Sequence, residues 1–94
     1  MDKKTEEFYI RLKEELDNSN QWPTQYLFKF IVPTVGTNVQ QVTDAFDLVG
    51  AVIATTKSRT GKFTSVSIEV QMQSSQQIID KYLEVSTIEG IISL

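Results

Sequence analysis

The alternation of apolar and polar residues is clearest in "KFTSVSIEVQM" at 62–72, where every second side chain from Val66 to Met72 is apolar. A period of two predicts a β-strand with one buried face and one polar face. Aromatic and β-branched residues in "YLFKFIV" at 26–32 predict another strand. The segments "AVIATTKS" at 51–58 and "IEGIISL" at 88–94 predict two more strands.

Three other segments follow a helical period. The first spans residues 3–17, and the second runs from 38 to about 48, with Gly50 as its stop signal. Thr37 with Gln40, and Ser74 with Gln77, have the spacing of capping boxes at the starts of the second and third helices. In chain order, the apolar sides of the three helices are Phe8, Tyr9, Leu12 and Leu16; Val39, Val42, Phe46 and Val49; and Ile78, Ile79, Tyr82 and Leu83.

After the N-terminal helix, the order of elements is β-α-β-β-α-β. Two split βαβ units in one antiparallel sheet predict an α+β, ferredoxin-like fold with two helices on one face. We therefore expect an amphipathic helix and linker at residues 1–21 and a ferredoxin-like domain at 22–94. The apolar stripe of the N-terminal helix is expected to cover the open face or an edge of its own sheet, or else to dock on a protein partner.

Composition excludes several classes of chemistry. The 94 residues include no cysteine and no histidine, so disulfides, thiolate zinc sites and imidazole catalysis are impossible. No cofactor and no metal site are predicted. A net charge of −3 argues against nucleic acid as a partner. The charged N-terminal segment does not resemble a signal peptide, and no apolar run approaches the roughly 20 residues of a membrane span. A disulfide-free chain fits a cytoplasmic location.

The segment "SRTGKFTSVSI" at 58–68 contains a Gly-Lys pair that could belong to a phosphate-binding loop. Such a loop needs an earlier glycine where Thr56 stands, a hydroxyl residue where Phe63 stands, and a following helix. The segment instead predicts a β-hairpin with Gly61 in its turn. Its basic residues are Lys57, Arg59 and Lys62, which either bind an anion or simply keep the turn solvated.

A second candidate anion site is the loop at Gly36, Thr37 and Asn38, because a helix N-terminus favours a carboxylate or a phosphate. The alternative is that Gly36 only turns the chain and Thr37 only caps the helix. On the polar sheet face, Glu69 and Lys29 could serve an enzyme, although a cross-strand ion pair between them would explain both without catalysis.

An RNA-binding sheet is a further alternative, because such sheets stack bases on exposed aromatic rings. We expect Phe28 and Phe30 to pack in the core instead. The second aromatic ring that the RNA-binding strand motif requires is also missing from "GKFTSVSI".

Three segments carry a resemblance to a known family: "WPTQYLFKF" at 22–30, "SRTGKFTSVSIEV" at 58–70, and the spacing of Gln77, Tyr82 and Val85. Over roughly residues 16–94 the chain resembles the YbeD-like family of small uncharacterised bacterial proteins. The resemblance implies a fold close to the ACT regulatory domain, whose copies commonly pair side by side and bind amino acids or other small effectors at the interface. The chain departs from the family where Val32-Pro33 stands in place of a frequent glycine.

Together these observations predict a non-enzymatic regulatory or adaptor domain. It is expected to bind a small anionic effector or a protein partner, and to form a homodimer through its sheet edge or open face. The alternatives are a small enzyme that uses carboxylate and lysine groups and, with less support, an RNA-binding module. No membrane partner is predicted.

Overall fold

A computed structural model describes residues 2–48 and 50–94 of the chain. The elements are α1 (Lys3–Ser19), β1 (Thr24–Pro33), α2 (Asn38–Ala45), β2 (Val52–Lys57), β3 (Phe63–Met72), α3 (Ser75–Val85) and β4 (Ile92–Ser93). Four antiparallel strands form one sheet in the order β2-β3-β1-β4. This is the ferredoxin-like order, so the predicted α+β fold with an additional N-terminal helix is confirmed.

The central pair of strands, β1 and β3, organises the core. Phe28 lies opposite Ile68 and Phe30 lies opposite Val66, so directly paired residues place apolar side chains on the same face. On β3 the buried positions alternate strictly with more exposed ones, as the sequence predicts. The helices α2 and α3 pack against each other and contact this buried face of the sheet.

The N-terminal helix packs on its own domain, but against α3 rather than on the open sheet face. Leu16 is buried, and Tyr9 and Leu12 pack partly against the core. Phe8 is 59% exposed, so it does not face inward with the rest of the stripe. A helix running beside α3 can bury one narrow stripe, and Phe8 lies outside that stripe.

The second helix ends at Ala45, three residues before the predicted end at 48. Phe46 turns into the core beside Phe28, with ring centroids 4.7 Å apart, and the backbone N–H of Phe46 donates to the Thr43 carbonyl in a tighter turn. The Lys81 Nζ donates to the Ala45 carbonyl, which satisfies one of the terminal helix acceptors. Val49, predicted on the apolar side of this helix, lies outside the described residues.

The last strand is shorter than the predicted 88–94, because only Ile92 and Ser93 pair with β1. Ile88 and Ile91 instead donate backbone hydrogen bonds to carbonyls three residues earlier, which continues the chain as turns after α3. The Ile88 side chain is buried in the core. The start of the segment 88–94 is therefore apolar because Ile88 is buried from a turn, and not because this part of the segment is a strand.

The two predicted capping boxes have different outcomes. The Ser74 Oγ accepts from the Gln77 N–H at 3.1 Å, while the Gln77 Oε1 accepts from the N–H of Gln73, one residue before the predicted position. Thr37 caps no backbone N–H of α2, so the Thr37–Gln40 box is wrong. The Thr37 Oγ1 instead accepts from the Gln41 side-chain amide at 3.0 Å.

Because only Ser74 caps its helix, removing the Ser74 and Thr37 hydroxyls is expected to lower the free energy of unfolding by different amounts. Replacing Ser74 with alanine is expected to lower the free energy of unfolding by about 1 kcal/mol, because the Gln77 N–H loses its acceptor. Thr37→Ala is the matched control, since it removes a hydroxyl at the same helix position without removing a cap. Urea unfolding followed by circular dichroism measures both, and equal losses would contradict the assignment.

Candidate functional site

The turn between β2 and β3 is a β-hairpin, as predicted. The Ser58 N–H donates to the Phe63 carbonyl at 2.7 Å, and the Gly61 N–H donates to the Ser58 carbonyl at 2.9 Å. The Ser58 Oγ also accepts from the Phe63 N–H. Gly61 has φ +76°, a conformation that favours glycine. Because a strand follows this turn, it lacks the helix N-terminus of a nucleotide-binding loop.

The three basic residues of the hairpin, Lys57, Arg59 and Lys62, are all exposed. Across residues 2–48 and 50–94, the ion pairs are Lys13–Asp17 and Lys81–Glu84, so these three cations have no carboxylate partner there. Their charges are available to an anion or to an acidic surface. Anion binding by this hairpin stays a prediction.

The loop before α2 satisfies much of its own hydrogen bonding. Gly36 has φ +71° and turns the chain after β1. The Asn38 Nδ2 donates to the carbonyls of Pro33 and Val35, each at 3.2 Å, which folds the loop back on itself. Because Thr37 does not cap α2, side-chain capping does not compete with a ligand for the N–H groups of the first turn.

The structure brings the base of the hairpin and this loop to the same end of the sheet. The Thr34 N–H donates to the Lys62 carbonyl at 2.9 Å, and the Thr34 and Thr64 hydroxyls lie 2.8 Å apart. The sequence interpretation treated the two sites separately. Their proximity follows from the pairing of the end of β1 with the start of β3, where Pro33 lies opposite Phe63.

The cavity at the loop does not join the two predicted sites into one anion pocket. It measures about 630 Å³, and its lining includes Gly36, Thr37 and Asn38 as well as Thr87, Glu89 and Gly90. Among the described residues, its lining includes the carboxylate of Glu89 and none of the three hairpin cations. A negative charge in the lining disfavours an anionic ligand at this position.

The open sheet face lacks the predicted Glu69–Lys29 ion pair. Glu69 lies opposite Leu27, and Lys29 lies opposite Ser67, so the two charged residues occupy diagonal positions on neighbouring strands. Both side chains are exposed, and no ion pair joins them within the part of the chain that the structure describes. The register therefore does not place the two charges directly opposite each other.

The aromatic residues of β1 cannot form an RNA-stacking surface. Phe28 and Phe30 are fully buried and pack with Phe46 and Tyr82 on the helix-covered face. The core packing predicted for both phenylalanines is confirmed. The described residues also include no group of three acidic side chains placed to hold a metal ion, and no described helix is long and apolar enough to cross a membrane.

The sequence interpretation missed two features. The first is the exposure of β2, where all six residues lie at the surface, although a run such as "VIATTK" resembles a half-buried strand. The second is the contact between the hydroxyl groups of Tyr26 and Tyr82, 2.9 Å apart. The sequence places Tyr82 on the apolar side of its helix, but its contact with Tyr26 depends on how α3 packs on the sheet.

Comparison with known proteins identifies the family of this chain but assigns it no activity. The model of a family described as "Protein of unknown function (DUF493)" matches residues 17–94, which is most of the chain. This is the YbeD-like family that the motifs at 22–30 and 58–70 indicate. The match begins inside the last turn of α1. No curated protein matches the chain.

Proposed function

Because this chain belongs to the DUF493 family, whose description assigns no activity, we propose a function from its own surfaces: a non-enzymatic regulatory or adaptor domain that self-associates by strand addition at β2. The observation that carries this proposal is a six-residue edge strand in which every residue is exposed. An edge of this kind presents backbone N–H and C=O groups to a second strand.

The two edges of the sheet differ in their capacity to extend it. At one edge, β4 contributes only Ile92 and Ser93. At the other, β2 has its inner side paired with β3 along its whole length. Val52 is 67% exposed and Ile53 is 37% exposed, while the one charge on the strand is Lys57 at its end. Proline and inward charge, the usual protections of an edge strand, are missing from this segment.

A symmetric pairing of two β2 strands is compatible with the side-chain pattern. Val52, Ala54 and Thr56 lie opposite open-face residues of β3, whereas Ile53 and Thr55 lie opposite the buried Ile68 and Val66. A continuous sheet keeps each face on the same side, so residues of like parity must pair. With the two-fold axis at Ala54, Ile53 lies opposite Thr55 of the second copy and Lys57 lies opposite Ala51. Like charges do not meet in this register.

The experiment places a charge at the centre of the proposed interface. Ala54→Lys is expected to weaken self-association at least about fivefold, because two lysines then lie opposite each other across the axis. Ala54→Glu is expected to have the same effect, and mixing the two variants should restore association through opposite charges. Sedimentation velocity over a range of concentrations measures each sample. Gln71→Lys is the matched control, since it adds the same charge on the open face of β3, away from the edge.

Two results would contradict the proposal. A wild-type chain that sediments as a folded monomer at high micromolar concentration would remove self-association. A dimer that is equally stable in Ala54→Lys and in the Gln71→Lys control would place the interface elsewhere. The proposal is supported if association is restored in the mixture and in neither variant by itself, because mixing would not reverse a general loss of folding.

The proposed regulatory role includes two further elements predicted from the sequence. The small anionic effector finds its support at the hairpin, where Lys57, Arg59 and Lys62 have no described carboxylate partner. It finds less support at Gly36–Asn38, where Glu89 shares the cavity. The likeness to ACT domains, the division at residue 21 and the cytoplasmic location stay predictions, the last supported by the absence of cysteine.

A further inference from the structure

A second cavity, of about 290 Å³, lies between α1 and the edge of the domain formed by Tyr26, Tyr82 and the last residues of the chain. On the helix side it is lined by Phe8, Tyr9 and Leu12. None of the described side chains that line it carries a charge. A volume of this size lies at the lower end of the range for small-molecule sites and suits a molecule built on a single ring.

The position of α1 explains why this space is open. The C-terminal half of the helix is packed, with Leu16 buried and its carbonyl accepting from the Asn20 side chain. The N-terminal half is packed less closely, since Phe8 is largely exposed and Tyr9 is only partly buried. Tyr9 lines this cavity and also a smaller one of about 190 Å³ between α1 and α3, so space is left unfilled around this residue.

Four of the side chains that line the cavity carry a hydroxyl group: Tyr9, Tyr26, Tyr82 and Ser93. The Tyr26 and Tyr82 oxygens share one hydrogen bond at 2.9 Å, which uses one phenolic hydrogen. No other described side chain or backbone group accepts the second hydrogen. Burial, followed by the hydrogen bond with Tyr26, raises the pKa of the Tyr82 phenol above its ordinary value, so this group stays protonated at neutral pH. The pair therefore offers one free donor beside an apolar space.

We propose that the cavity between α1 and the Tyr26–Tyr82 pair binds a neutral, largely apolar small molecule that carries a single hydrogen-bond acceptor, such as an aromatic ketone. The apolar lining accounts for the hydrophobic part of the ligand. The free phenolic hydrogen accounts for the acceptor, and the uncharged lining side chains would leave an ionised group without a partner. The proposal is independent of self-association, because β2 lies at the opposite edge of the sheet.

Three probes with the same number of heavy atoms separate these requirements. Acetophenone has the ring and the acceptor, α-methylstyrene replaces the carbonyl by a methylene group, and benzoate adds a charge. We expect acetophenone to bind with a dissociation constant on the order of 1 mM and to shift the amide NMR signals of Tyr9, Leu12 and Tyr82. The α-methylstyrene probe should bind about fivefold more weakly, and benzoate should show no saturable shift at these residues.

Variants identify the groups responsible. Both hydroxyls must be removed together, because either tyrosine alone still offers a donor. In the double variant Tyr26→Phe/Tyr82→Phe, acetophenone and α-methylstyrene are expected to bind equally. Leu12→Phe should fill the space and abolish the binding of both probes. It changes a half-buried residue, so it tests the cavity even where the double variant fails to fold. Phe63→Ala, at an exposed ring on the hairpin, is the control that should leave all affinities unchanged.

The proposal is overturned by acetophenone shifts that scatter over the surface without saturation, or by benzoate binding as tightly as acetophenone. It is also overturned by a Leu12→Phe variant that keeps full affinity. A folded double phenylalanine variant that still prefers acetophenone would assign the acceptor contact to another group and overturn the role of the tyrosine pair. Saturable shifts confined to the cavity, with the fivefold preference lost in the double variant, support it.

Discussion

Replacing Phe28 with alanine is expected to lower the free energy of unfolding by about 4 kcal/mol, the largest effect of any single substitution considered for this chain. Phe28 is fully buried, and its ring contacts the rings of Tyr26, Phe30, Phe46 and Tyr82. These neighbours come from β1, α3 and the residue that follows α2, which cannot all move inward to fill the space that the ring leaves. The cost therefore includes the residual cavity as well as the lost burial of the ring.

Urea unfolding at neutral pH measures this loss as a shift of the midpoint at constant slope. The control is Phe63→Ala, which removes the same ring from a site that is 45% exposed and is expected to cost less than about 1 kcal/mol. If both substitutions cost the same, Phe28 would not hold the central position in the core that the structure gives it. A loss large enough to unfold Phe28→Ala agrees with the prediction, since domains of this size have only about 5–15 kcal/mol in total.

The parts of the fold that could be predicted are those for which local pattern and tertiary packing agree. On β3, the buried positions from Val66 to Met72 follow a strict alternation because one sheet face is covered by helices and the other is open. The hairpin could be predicted because Gly61 supplies a backbone conformation that few other residues adopt. In both cases the physical cause lies within a few residues of sequence.

The parts that could not be predicted depend on distant contacts. Period alone groups Phe8 with Tyr9, but only the position of α3 determines which of the two is covered. The side chain of Ile88 enters the core from a turn. In the sequence, an apolar residue in such a turn cannot be distinguished from an apolar residue in a strand. Similarly, α2 ends at Ala45 because Phe46 turns to reach Phe28, a contact over 18 positions of the chain.

The candidate site shows the same division. The sequence indicates that Lys57, Arg59 and Lys62 lie on one hairpin, but the absence of a described carboxylate partner is a property of the folded surface. The sequence favours a Glu69–Lys29 pair between neighbouring strands, but only the register shows that the two residues lie diagonally, with Ser67 opposite Lys29. Exposure of β2 depends on the strand order, since the same "VIATTK" segment would be covered on both sides in a central position.

Gly90→Ala is the substitution expected to have the second largest effect, a loss of about 3 kcal/mol. Gly90 has φ +75°, which costs a residue with a Cβ atom roughly 1–2 kcal/mol. A Cβ atom at this position would also lie 2.7 Å from Cγ and 3.0 Å from Cδ of Pro33. Both neighbours are atoms of a closed ring in a paired strand, so they cannot rotate away, and crowding of this kind adds about 1–3 kcal/mol.

Gly61→Ala separates the two contributions, because Gly61 has nearly the same φ, +76°, and no heavy atom within 4 Å of the added Cβ. It should cost only the conformational part, about 1 kcal/mol. In the background Pro33→Ala, the additional loss from Gly90→Ala should fall to the Gly61→Ala value, which a double-mutant cycle in urea measures directly. An unchanged loss in that background would show that contact with Pro33 contributes nothing. The expected coupling would mean that close packing of Gly90 on the end of β1 holds the turns after α3 in place, and with them β4 and the wall of the loop cavity.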